Sequence, residues 1–269
     1  MLAPLRKLIR EADSVLVALS GGVDSALVAA VAHEELGDAA VALTADSPTF
    51  PREELAEARS ITERLGMRHL VVSSRELERE GYAANAGDRC YFCKSELFEL
   101  ARDRAATLGM KWVMDGTIPD DLGDHRPGLV ASAENGVRHP LVEAGLDKVA
   151  VRAAARKLGL VVWDKPAFAC LGSRFPVGTR VTEDRVTRVG RVESVLRTFG
   201  LQGFRVRYHL LEGVPMARIE VDPSQLEVLT RDGIRDAIVE ACLQEGFQWV
   251  TLDLEGYRRG RLSAPPSST

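Results

Sequence analysis

Six residues near the start of the chain, Ser20-Gly21-Gly22-Val23-Asp24-Ser25, are of the types that hold a phosphate chain. Glycines permit a tight turn and let backbone N–H groups approach an anion closely. Ser20 and Ser25 add hydroxyl donors, and a helix opening at Val23 would aim its unsatisfied N–H groups and positive dipole end at the same place. Asp24 would be repelled by bare phosphate, so it is expected to hold Mg2+ or to orient the loop. The run lacks the Gly-Lys-Ser/Thr of a Walker A loop, which argues against γ-phosphoryl transfer. It also fails G-x-G-x-x-G, which argues against a dinucleotide site. The plain alternative is a glycine-rich turn that binds nothing.

A second group of reactive residues is cysteine. Cys90 and Cys93 form a CxxC pair, Cys170 lies in a loop-like stretch, and Cys242 falls in a helical pattern where it reads as a small buried hydrophobe. Cysteines at i and i+3 near a helix start project from one face and can share one metal centre. The same spacing serves a redox pair, half a zinc site or two packed thiols. No thioredoxin-like context is present, and no nearby histidine offers zinc an obvious fourth ligand. Further on, Arg205 and Arg207 alternate along a strand, as do Arg218 and Glu220, so each pair shares a face. Two arginines on one face can grip a phosphate bidentately, unless they are an ordinary solvated face.

These residues need a frame, and the apolar pattern supplies one. Val15–Leu19, Ala40–Thr44, Arg68–Val72 and Lys111–Met114 read as short strands. Helices are expected at Val23–Glu35, Arg52–Leu65 (stopped by Gly66), Tyr91–Leu108 and Lys148–Leu158, the last capped by Asp147. Strands alternating with helices of this length predict an α/β fold, a parallel sheet with helices on both faces. Asp46, after the second strand, and Asp115-Gly116, after the fourth, then fall at the carboxyl edge of the sheet, where ligands of open α/β sheets gather.

The pattern changes after Val161. Residues 165–180 are rich in Pro, Gly and Ser, and read as a linker. Beyond them lie a helix over Glu183–Phe199 capped by Thr182, strands Phe204–Leu210 and Met216–Val221, a helical region from Asp222-Pro223 to Glu245, and a strand Trp249–Leu252. That order predicts a small α+β domain. The expected division is 1–165, 166–262 and a disordered tail at 263–269.

The 269-residue chain is 45% hydrophobic and 28% charged, ordinary for a soluble enzyme. Its net charge of −4 excludes a strongly basic, sequence-independent nucleic-acid binder. No apolar run near the start is long enough for a membrane span or a secretory signal, so a cytoplasmic protein is expected. The cysteines, in a reducing compartment, are not expected to form disulfides.

The run SGGVDS resembles the pyrophosphate-binding loop of the N-type ATP pyrophosphatases, the PP-loop class that includes GMP synthetase, NAD synthetase, asparagine synthetase and tRNA thiolases. That resemblance implies cleavage between the α- and β-phosphates of ATP, an adenylylated substrate, and the adenine-nucleotide α-hydrolase fold for about residues 1–165. Asp46 and Asp115-Gly116 join Ser20, Gly21, Gly22, Asp24 and Ser25 as its expected ATP-binding residues. Longer motifs narrow the class: Asp115-Gly116-Thr117, Asp120-Asp121, Asp124-His125-Arg126-Pro127-Gly128, Lys165-Pro166-Ala167, Cys170, Ser173-Arg174-Phe175-Pro176-Val177-Gly178, and Thr251-Leu252-Asp253-Leu254-Glu255-Gly256-Tyr257-Arg258-Arg259-Gly260. Together these resemble the LarE family of ATP-dependent sulfur transferases of nickel-pincer cofactor synthesis, over nearly the whole chain.

The family resemblance implies a small-molecule substrate, a pyridinium-3,5-dicarboxylate mononucleotide whose carboxylate attacks the α-phosphorus of ATP. Sulfur then displaces AMP to leave a thiocarboxylate. One branch sacrifices its own cysteine, a position that falls on Ala169 here, with Cys170 the next residue. The other branch holds a [4Fe-4S] cluster on three cysteines, matched by Cys90, Cys93 and Cys170, and delivers sulfide from an exogenous donor. The resemblance also implies Ser173, Arg205 and Arg207 as phosphate ligands, with Arg174 beside the reacting sulfur and Glu193 and Glu220 holding the ribose or the arginines. A homo-oligomer is expected, of an order the sequence does not give. A tRNA thiolase, an amide-forming synthetase and a nucleotide sensor are the competing expectations, and Cys170 as a sacrificial or persulfide donor is the rival sulfur source.

Overall fold

The computed structural model describes residues 2–123, 127–167 and 169–258. The chain divides into two compact units, one of Met1–Glu76 with Cys90–Phe168, the other of Leu77–Arg89 with Ala169–Thr269. Its elements run α1 (Ala3–Ala12), β1 (Val15–Ala18), α2 (Val23–Leu36), β2 (Ala40–Asp46), α3 (Arg52–Leu65), β3 (His69–Ser73), α4 (Glu80–Ala84), α5 (Arg89–Leu108) and β4 (Trp112–Met114). There follow α6 (Pro127–Glu134), α7 (Pro140–Glu143), α8 (Lys148–Lys157), α9 (Glu183–Thr198), β5 (Arg205–Leu211), β6 (Val214–Glu220), α10 (Leu226–Leu229), α11 (Ile234–Gln244) and β7 (Trp249–Leu252).

The first unit is built on a four-stranded parallel sheet of order β3-β2-β1-β4. Side chains alternate across such a sheet, and β1, β4 and the first part of β2 are apolar on both sides, whereas edge strand β3 sets His69, Val71 and Ser73 on one side and Leu70 and Val72 on the other. Val15, Val17, Ala40, Ala42 and Met114 face one core with α1, α2 and α8. Leu16, Ala18, Val41, Leu43 and Val113 face another, closed by Phe98, Ala101 and Ala105 of α5. Helices therefore cover both faces, as the continuous apolar strands require. Helix α2 is buried almost all round, which its alanines permit by letting backbones approach. Gly66 ends α3 in the left-handed conformation, and Asp147 caps α8 by accepting from the Ala150 N–H at 2.8 Å.

The second unit carries a three-stranded sheet of order β5-β6-β7, with β5 and β6 antiparallel and β7 parallel to β6. Val186, Val189, Val192 and Leu196 of α9 are buried, as are Ile238 and Cys242 of α11. Tyr208 packs between the rings of Phe175 and Phe247, with centroids 5.4 and 5.6 Å away. Burial lifts the Cys242 thiol to about 12, so it stays protonated and apolar.

Two local expectations are corrected. The helical region after Asp222-Pro223 is broken: a 3-10 turn at Pro223–Gln225 leads into α10, and α11 begins only after Gly233, whose φ is +80°. Residues 77–89, expected to lie with the first domain, group instead with the second unit. Asn85 explains this: its Nδ2 donates to the carbonyls of Pro176 and Thr179 at 2.7 and 3.1 Å, and its own carbonyl accepts from the Gly178 N–H at 2.9 Å. The motif residues Asp124, His125, Arg126, Arg259 and Gly260 and the tail at 263–269 lie outside the described residues.

Candidate nucleotide and anion sites

In the first unit the glycine loop joins β1 to α2. Gly21 has φ +74°, and a Cβ there would stand 2.8 Å from the Glu54 carbonyl oxygen, so the position demands glycine twice over. Ser25 Oγ bridges the loop: it accepts from the Ser20 N–H at 3.1 Å, lies 3.1 Å from Ser20 Oγ, and is 3.2 Å from the Gly22 carbonyl. Gly22 is the N-cap of α2, and no side chain caps the helix. Its amino end is thus left for an acceptor from outside the helix.

The other expected residues of this unit stand at the same carboxyl edge. Asp46 closes β2 and is engaged by the Arg52 guanidinium at 2.6 and 3.1 Å. Asp115 follows β4, is buried, and accepts from the Thr117 N–H at 3.0 Å and its hydroxyl at 2.9 Å. Gly116 lies against the first turn of α2, where an added Cβ would meet the Ser25 nitrogen at 2.5 Å. Asp24, the expected metal ligand, has both carboxylate oxygens on the Lys148 ammonium at 2.8 and 2.6 Å.

Sequence reasoning missed three residues here. Lys148 opens α8, and Lys165 places its ammonium 2.8 Å from Glu54 and 3.2 Å from the Gly21 carbonyl. Only Lys165 had a signal, its place in the Lys165-Pro166-Ala167 motif. His139 sets Nδ1 2.7 Å from Asp115. Asp115 raises the His139 ring against the opposing effect of burial. Burial alone would raise Asp115, but His139, Lys94 and the Thr117 N–H outweigh it and hold the carboxyl below its ordinary range.

The pair fixes the sign of a pH effect. The share that depends on protonated His139 is complete below about pH 6.5 and is lost as pH rises through the elevated histidine value. The share that depends on ionised Asp115 is complete above about pH 3.9 and is lost as pH falls through the depressed aspartate value. The melting-temperature advantage of the native chain over His139→Gln should therefore be largest between those limits and shrink toward pH 9. An advantage unchanged from pH 6 to pH 9 would contradict a charged pair.

In the second unit the expected substrate residues do come together. Arg174 makes a bidentate pair with Glu193 at 2.8 and 2.9 Å, and both are buried. Arg207 meets Glu220 Oε2 through Nε and Nη2 at 2.9 and 2.7 Å, and donates to the Ser173 carbonyl at 2.9 Å. Arg218 takes the other Glu220 oxygen at 2.9 Å. A solvated charged face is thereby ruled out, since Glu193 and Glu220 are wholly buried. Both glutamates hold arginines.

Arg205 is different. It stands opposite Glu220 in the strand register, yet Glu220 turns diagonally to Arg207. Among the described residues Arg205 has no carboxylate within ion-pair distance; its guanidinium donates to the Phe204 carbonyl and lies over the Tyr257 ring, 4.6 Å from the centroid. Burial, and next the Arg174 charge, lower its pKa. Tyr257 was not foreseen as a site residue, although its motif was read. Gly256 brings it there: a Cβ at that position would meet the Val221 carbonyl at 2.6 Å.

Cys90 and Cys93 stand on the first turn of α5 in the first unit, exposed and half-buried, whereas Cys170 belongs to the second unit and is half-buried. The Cys170 carbonyl accepts from the Ser173 N–H, the Ser173 hydroxyl and Arg174, at 3.0, 2.8 and 3.2 Å. Among the described residues no three His, Cys, Asp or Glu side chains are grouped to hold a metal ion. Among them, too, no helix is long and apolar enough to cross a membrane.

Residues 5–120 match the profile of the asparagine synthase family. The chain is 45% identical to an uncharacterized protein of Synechocystis, over 96% of this chain and 95% of that one. It is 37% identical to the pyridinium-3,5-bisthiocarboxylic acid mononucleotide synthase of Lactiplantibacillus plantarum, over 97% of this chain and 93% of the other. It is also 27% identical to the GMP synthase of Chlamydia muridarum, over 44% of this chain and 23% of that enzyme.

Proposed function

The chain belongs to the LarE family, that of the Lactiplantibacillus plantarum pyridinium-3,5-bisthiocarboxylic acid mononucleotide synthase, and from that premise we propose that it is an ATP-dependent sulfur transferase acting on the corresponding dicarboxylate mononucleotide. The glycine loop carries this proposal. Its uncapped helix end and the Ser20 and Ser25 hydroxyls suit the β- and γ-phosphates of ATP.

A substrate carboxyl oxygen bonds to the α-phosphorus as the bond to the bridging oxygen breaks, and that electron pair leaves with pyrophosphate. Adenylylation supplies the leaving group that a bare carboxylate lacks; a sulfur nucleophile then displaces AMP. Asp24 offers the oxygen ligand that Mg2+ favours, and bound Mg2+ would offset charge on the phosphates. In the second unit, Ser173, Arg205 and Arg207 are assigned to the substrate phosphate, with Arg174 alongside. Arg205 has the strongest claim, because Glu220 already neutralises Arg207.

For sulfur, a [4Fe-4S] cluster on Cys90, Cys93 and Cys170 is the favoured source. The CxxC thiols stand one helical turn apart at or near the surface, and thiolates are the ligands such clusters use. A bound cluster would supply an open iron for exogenous sulfide. Sacrifice or persulfidation of Cys170 is the second source, supported by a backbone that three hydrogen bonds hold in place.

The test is anaerobic incubation of the iron- and sulfide-reconstituted protein with ATP and either the mononucleotide or tRNA, with mass spectrometry of product and protein. Thiocarboxylate product, AMP and an intact Cys170 over several turnovers are expected. Sulfur entering only tRNA would end the assignment, and dehydroalanine at residue 170 would replace the cluster by the sacrificial route.

A further inference from the structure

We propose that Lys165 is the cation that receives the leaving pyrophosphate, an assignment that deepens the function proposed above and rests on it. The glycine loop contains no lysine or arginine, and its one ionisable residue is the acid Asp24. Its N–H groups and hydroxyls offer only partial charge; a helix end contributes about half an elementary charge. Pyrophosphate gains a full negative charge as its bond to the α-phosphorus breaks. Charge stabilised only as it develops lowers the barrier most, so a side-chain cation at the loop would add to what bound Mg2+ supplies.

Two lysines of the first unit reach the loop. The ammonium of Lys148 directs two of its donors at the carboxylate oxygens of Asp24, the side chain assigned to Mg2+. Lys165 is placed otherwise. Its ammonium touches the loop backbone itself, at the Gly21 carbonyl, and is steadied by Glu54. An ammonium has three N–H donors; among the described residues two find these acceptors and the third is left for an incoming anion. The side chain keeps 21% of its exposure, so a ligand can reach it.

The surroundings hold this amine ready. The Lys165 N–H donates to the Val162 carbonyl at 3.1 Å, and its carbonyl accepts from Arg152 at 2.9 Å. The Glu54 carbonyl presses on Gly21 where any side chain would stand. Loop, carboxylate and amine are therefore already in contact, which lowers the ordering cost of binding a phosphate. A merely structural Lys165–Glu54 pair would leave anion binding indifferent to the amine.

The experiment compares inorganic pyrophosphate with AMP, each titrated calorimetrically into the full chain with Mg2+. For Lys165→Met, pyrophosphate affinity is expected to fall by ~10–100-fold, the range of one charge-assisted hydrogen bond, while AMP affinity stays within about twofold of the native value. Lys165→Arg should recover most of the loss. Lys165→Gln, which keeps a donor for the Gly21 carbonyl but no charge, should behave like the methionine variant and serves if that one fails to fold. Native pyrophosphate affinity in the uncharged variants would overturn the assignment, as would equal losses for AMP and pyrophosphate. A native protein that binds neither ligand would instead sink the underlying function.

Discussion

Glu220→Gln is expected to destabilise the second unit by about 3–5 kcal/mol, the cost of removing one partner from a buried ion pair. Glu220 is wholly buried and serves Arg207 and Arg218 at once. The amide fits the same space but leaves those guanidinium groups, with Arg205 nearby, without their shared counter-charge. Melting temperature should fall by roughly 6–20 °C. Phosphate at tens of millimolar should return part of that loss in the variant and raise the native value less, because the anion would replace the missing carboxylate. A variant that melts like the native protein would show that Arg207 and Arg218 find other acceptors. One that ignores phosphate would remove these arginines from the anion site. The double variant Arg207→Met, Glu220→Met separates charge from packing: it should lose less than the two single changes summed.

The arginine cluster also shows how far residue patterns carry. Alternation placed Arg205 and Arg207 on one face and Arg218 with Glu220 on the neighbouring strand, and the strand register agrees. Which arginine keeps a free charge is decided by the diagonal turn of Glu220 and by Glu193, which arrives from α9 and also accepts from the Val206 N–H at 2.9 Å. Neither choice has a signature in spacing. Tyr257 was visible only as part of a motif, since its place depends on Gly256 passing close to the Val221 carbonyl.

The central strands of the first unit were legible because β1 and the first four residues of β2 are unbroken apolar runs, and β1 is soon followed by a glycine pair. The glycine pair after β1 needed no tertiary information, for the turn, the helix start and the hydroxyls lie within six residues. Lys165 escaped notice for the opposite reason: the hydrogen bond to Gly21 spans 144 positions. Residues 77–89 were misplaced likewise, because Asn85 reaches carbonyls 91 and 94 residues further along. Local pattern specifies elements; long-range polar contacts decide which of them share a site.

Gly116→Ala should slow pyrophosphate–ATP exchange by ~100-fold or more, the scale expected when reacting groups are displaced by about 1 Å. The added methyl carbon would lie 2.5 Å from the Ser25 nitrogen, 2.8 Å from its Cα and 2.9 Å from the Asp24 carbonyl carbon. All three are backbone atoms of the first turn of α2, so no side chain can swing aside. Either the turn after β4 retreats, carrying Asp115 and its bond to His139 with it, or α2 shifts and takes Ser25 off Ser20. Both movements spread the donors that would hold the phosphates. Gly123→Ala is the matched control, because a methyl group there meets nothing within 4 Å. If Gly116→Ala exchanges pyrophosphate at the native rate, contact between the β4 edge and the loop does not order the phosphates. If it loses exchange yet binds AMP and melts near the native temperature, the loss belongs to the phosphate end of the site, where Gly116 meets the helix.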